Sequence, residues 1–183
     1  MKNKFIYLAI IAAGFASCEP EFENDVGANY SAGDADFTTY VAVGNSLTAG
    51  YMDGTVSKGS QMNSFPNLLA KQFALVGGGV FTQPSYEEDV NNLGGIQGLA
   101  ATRLVIDASQ GRPENIAGTS TITLTPQATA YNNMGVPGAK SFHLGVSGYG
   151  NIAGVALGQA NPYFVRHATS PTATVLGDAM SKN

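Results

Sequence analysis

One serine in this chain stands where a nucleophile would. Tyr40 to Gly50 reads YVAVGNSLTAG, an apolar, β-branched run that delivers Ser46 to a turn flanked by small residues, with Leu47 onward able to begin a helix. A hydroxyl at a strand's carboxyl end, facing a helix N-terminus, is placed for nucleophilic attack. The first N–H groups of the helix lack intrahelical partners and suit a developing oxyanion. From the residues alone, the commoner role for such a serine is a plain helix N-cap, because serine is a preferred capping residue. The residues alone leave both readings open. Other uses of the nearby glycines fail on spacing. A phosphate loop needs G-x-x-x-x-G-K-[ST], and Gly44 has neither the second glycine nor the lysine. The dinucleotide pattern G-x-G-x-x-G fails at Ser46, and the G-x-S-x-G elbow fails at Thr48.

A serine hydroxyl is a weak nucleophile without a base. The chain has two histidines, His143 and His167. Neither has an Asp three residues before it, where Lys140 and Phe164 stand. His143 follows Gly135 on a short predicted helical stretch that runs to Val146, and His167 reads as a surface or packing residue. As metal ligands they fare worse: no Cys or carboxylate shares a ligand spacing with either. The sequence implies no metal and no cofactor.

The elements that must position Ser46 are legible in outline. Phe37 to Val43 predicts a strand. Ser64 to Val76 predicts a helix with Pro66 in its first turn and Phe65, Leu68, Leu69, Phe73 and Val76 on one face. Gly77-Gly78-Gly79 ends it. Phe81 to Gly98 is turn-rich, and its acidic run, Glu87-Glu88-Asp89, reads as a solvated loop. Leu104-Val105-Ile106 is a short apolar run of either type. Thr119 to Thr125 alternates and predicts a strand near a sheet edge. Ala128 to Met134 leads into GVPGA, Gly135 to Ala139. A glycine-rich stretch runs to Gly158, Asn161-Pro162-Tyr163 reads as a turn, and Ser170-Pro171 predicts the start of a helix over 172–182. No repeat of fixed period is present.

The segment YVAVGNSLTAGY resembles the first motif block of the SGNH (GDSL-type) hydrolases, with Asn45 where the family usually has Asp. Asn keeps the size and hydrogen-bonding capacity and loses the charge. Phe65-Pro66 and Leu68-Leu69-Ala70 resemble the family's helix after the serine. Tyr131 to Ala139, YNNMGVPGA, is similar to the second block. The resemblance covers 37–182, with an insertion at 81–126 that resembles larger bacterial lipoprotein members. It implies Ser46 as nucleophile, with its own N–H and that of Gly135 as oxyanion donors. It implies an α/β fold, a three-layer flavodoxin-like sandwich around a parallel sheet. The implied reaction is acyl transfer to Ser46 and hydrolysis by water, on an ester-bearing small molecule, a lipid or an acylated carbohydrate. The family's G-x-N-D and D-x-x-H blocks are not in this sequence, so the chain reads as an N-terminal fragment of a longer enzyme, inactive by itself. The rival reading is a binding module that holds glycans or lipids without cleaving them.

Composition bounds these readings. The chain has 183 residues, room for one domain. Charged residues make up 12%, about half the usual share, so solubility rests on neutral polar groups. No Lys/Arg cluster offers a footprint for nucleic acid. Residues 1–17 form a three-part secretory signal: Lys2 and Lys4, an apolar run from Phe5 to Phe15, then Ala16-Ser17. The run is too short to span a membrane. Cys18, the single cysteine, follows directly, and FASC resembles a bacterial lipobox. Cys18 is then the expected lipid-attachment site, placing the protein in the bacterial cell envelope as an outer-membrane lipoprotein. Residues 18–36, beginning EPEFEND after the cysteine, read as an acidic tether, and 37–183 as the first part of the hydrolase domain. Removing the signal takes the net charge from −4 to −6, because only Lys2 and Lys4 leave.

Overall fold

The computed structural model describes residues 30–182. The chain divides into two units, 1–31 and 32–183. The expected signal sequence, Cys18 and the expected tether as far as residue 29 lie outside the described residues, and the architecture below is that of the second unit.

Two short strands, β1 (Ala42–Gly44) and β4 (Asn133–Gly135), form a parallel pair in which Ala42 faces Asn133 and Gly44 faces Gly135. Between them in sequence come helices α1 (Ser46–Ala49), α2 (Lys58–Met62) and α3 (Phe65–Ala74), then an antiparallel hairpin of β2 (Leu104–Asp107) and β3 (Arg112–Asn115). After β4 follow two 3₁₀ turns, Ser141–Gly145 and Ile152–Gly154, and helices α4 (Pro162–His167) and α5 (Val175–Met180). The chain is thus of mixed helix and strand with a small parallel sheet, as the α/β reading requires. The predicted strand over 37–43 pairs only at its end.

Glycine at two strand ends lets α1 lie on the parallel pair. A Cβ on Gly135 would come within 2.2 Å of the Ala49 nitrogen, and one on Gly44 within 2.1 Å of Thr48 Oγ1. Asn133 then ties the layers from below: its Nδ2 donates to the Thr48 carbonyl at 2.9 Å and to Gln83 Oε1 at 3.0 Å. One apolar cluster, including Met134, Val136, Phe164 and Val175, joins β4 to α4 and α5. A second, including Ala49, Val56, Ile96 and Ile122, joins α1 to the segment 81–126.

Several local expectations are corrected. The acidic run is not solvated throughout. Asp89 is buried, accepting from the Lys58 N–H that opens α2 and from the Gly94 N–H, while Glu88 pairs with buried Arg166 at 2.7 Å. Thr119 to Thr125 joins no ladder. Its alternation is real, with Ser120 and Ile122 buried and their neighbours outward, but its partners are the loops of Gln97 and Glu88. Helix α3 buries Pro66 and Ala70 and lays half-buried Phe73 on Phe37, ring centroids 4.4 Å apart, leaving Phe65, Leu68 and Leu69 exposed. The expected apolar face is therefore rotated. The predicted C-terminal helix begins at Val175, capped by Thr174, because Ser170-Pro171 forms a turn ahead of it. Asn161-Pro162 starts α4, with the Asn161 side chain accepting from the Tyr163 and Phe164 N–H groups.

Candidate active site

Because β1 and β4 run parallel, the segments that follow them emerge at the same end of the sheet. Ser46 comes two residues after β1, at the first position of α1. Asn45 caps that helix, its side chain accepting from the Leu47 N–H at 3.4 Å. Ser46 therefore does not serve as the cap, and the plain-capping alternative passes to Asn45. The turn after β4 brings Pro137 and Gly138 to the same place. Together with Ser46 they line an open cleft of about 460 Å³, completed by Tyr51, Gly54, Tyr163 and residues Leu99 to Ala101. That volume lies in the range of small-molecule sites.

The cleft is built from four separate stretches, each held in place. Asn161 fixes the β4 turn, its Nδ2 donating to the Pro137 carbonyl at 2.8 Å while its Oδ1 caps α4. Tyr163, on α4, reaches Thr55 Oγ1 at 3.2 Å, and burial pushes its phenol above the ordinary value. Tyr51 donates to the Gly54 carbonyl. The segment 81–126 is pinned by Arg166, which donates to the Thr123 and Ser85 carbonyls and to Glu88 and stacks 4.5 Å from the Tyr86 ring centre. Among the described residues, no Asp, Glu, Lys, Arg or His lines the cleft.

Gly135 does not occupy the place expected of it. It is buried beneath α1, its N–H donates to Asn133 Oδ1 at 3.0 Å, and it is absent from the cleft lining. The glycine that faces Ser46's cleft is Gly138, exposed and at φ +78°, a conformation that favours glycine. In the sequence it is the second glycine of GVPGA, with nothing to rank it above Gly135. Nor do the histidines reach Ser46. His143 sits in the first 3₁₀ turn, not an α-helix, with Nδ1 accepting from the Lys140 N–H at 3.1 Å and its ring stacked on Tyr149. His167 is buried on α4 beside Phe164, a packing position rather than a surface one. Burial, and then the charge of Arg166, lower its pKa to about 3.

Among the described residues no group of three His, Cys, Asp or Glu converges as a metal site, and no helix is long and apolar enough to cross a membrane. No family model, curated protein or solved structure matches the chain.

Proposed function

We propose that this chain carries the nucleophile half of an SGNH-type serine ester hydrolase, lipid-anchored in the bacterial envelope, on a three-layer flavodoxin-like fold. One observation carries the reading: Ser46 and Gly138, distant in sequence, share a cleft at the carboxyl ends of two parallel strands. In the proposed reaction Ser46 Oγ attacks the ester carbonyl and the alcohol leaves. The N–H groups of Ser46 and Gly138 stabilise the oxyanion, and water then releases the acid from the acyl-enzyme. The uncharged lining suits a neutral ester, whether a small molecule, a lipid or an acylated carbohydrate. No metal or cofactor has a part in it.

A second reading is favoured by a different observation. Neither histidine lines the cleft, and no carboxylate does, so a module that binds glycan or lipid without cleaving it fits the same surface. Turnover of a short-chain nitrophenyl ester separates the two. The protein expressed from its complete gene should hydrolyse the ester, and Ser46→Ala should abolish this while leaving the fold intact. Ester binding without turnover would favour the binding module.

A further inference from the structure

A second and much smaller cavity, of about 10 Å³, shares Tyr163 and Pro137 with the Ser46 cleft. It is lined by His167 and Gln61 together with Tyr86, Tyr163 and the buried β4 backbone at Gly135. His167 is 2% exposed, and neither ring nitrogen has a hydrogen-bond partner among the described residues. A buried polar side chain in a folded protein ordinarily finds a partner, and here the cavity is what the ring borders.

We propose that this cavity is a built internal site for a single water molecule, held by His167 and Gln61. The size fits one water and no organic ligand. The chemistry fits as well. A neutral imidazole offers one donor and one acceptor, and Gln61, which also lines the cavity, carries an amide that offers both, within the two to four contacts a buried water needs. A cation is disfavoured by the Arg166 guanidinium, which adjoins His167 in the chain and faces Tyr86. An anion would find no cationic side chain in the lining. Burial favours the neutral ring, consistent with a neutral guest. The site stands on the cavity and the unpartnered ring that borders it, and is independent of the hydrolase reading.

The test is a crystal structure of the 183-residue chain at a resolution better than about 1.8 Å, with water-to-protein nuclear Overhauser effects in solution. The expected result is one ordered water roughly 2.7–3.2 Å from a His167 ring nitrogen, with cross-peaks between that water and the His167 ring hydrogens. His167→Phe and Gln61→Leu should each remove the ordered water, and should either variant fail to fold, the wild-type measurements decide. Well-resolved His167 nitrogens with no water density, or a ring turned to bond a protein group directly, would overturn the proposal.

Discussion

Gly135 and Gly138 sit three residues apart and answer to different physics. A methyl group on Gly135 meets the backbone of α1, which has no flexible end to yield, whereas Gly138 has open space and a positive φ. Gly135→Ala should therefore cost about 1–3 kcal/mol or more by overpacking and lower Tm clearly. Gly138→Ala should cost roughly 1 kcal/mol of backbone strain and act chiefly on the cleft. Thermal unfolding of the two variants checks the ranking. His167 makes a separate prediction. Its folded pKa is lowered to about 3 from an ordinary value of 6.5, by burial first and the Arg166 charge second. Between those values the unfolded chain binds a proton that the folded chain refuses, so stability rises with pH across this window and is flat above it. Urea unfolding from pH 4 to 7 should show that slope, and His167→Leu should reduce it by about 1.4 kcal/mol per pH unit near the middle of the window. An unchanged slope would mean that the ring titrates normally in the fold.

The segment 81–126 is where local reading and tertiary structure part company. Its acidic run looks like solvated loop because nothing nearby in sequence can neutralise it. Its partners are Arg166, on a helix that begins at Pro162, and the first N–H of α2. Likewise the alternation from Thr119 to Thr125 correctly marks which side chains turn inward, but a period of two records one buried face and cannot say that a ladder forms. In α3 the small residues Pro66 and Ala70 take the buried side and the larger Phe65 and Leu68 stay out. Helical periodicity ranks hydrophobicity and does not know how much room the neighbour leaves. Arg166 holds this segment through its pair with Glu88 and two carbonyls. Arg166→Met should cost about 3 kcal/mol, seen as a fall in Tm of roughly 10 °C. Limited proteolysis should then cut first between 81 and 126.

Across the whole molecule, the strand–serine–helix unit and the second glycine-bearing block were both legible in the sequence. The structure puts the segments beyond them at one end of a parallel pair. What sequence could not supply was the choice between Gly135 and Gly138, because the first is set by how closely α1 approaches β4 and the second by which residue the following turn exposes. The N-terminal reading makes its own prediction. Mass spectrometry of membrane-extracted protein should find cleavage before Cys18 with an added lipid mass, and Cys18→Ser should leave the membrane fraction. The most direct test of the account is covalent labelling by a fluorophosphonate probe, applied to the protein expressed from its complete gene. The account predicts a single adduct on Ser46, absent from Ser46→Ala, with ester turnover reduced by about 10⁶ in that variant. An adduct on another serine, or a Ser46→Ala protein that still turns over ester at the normal rate, would contradict it.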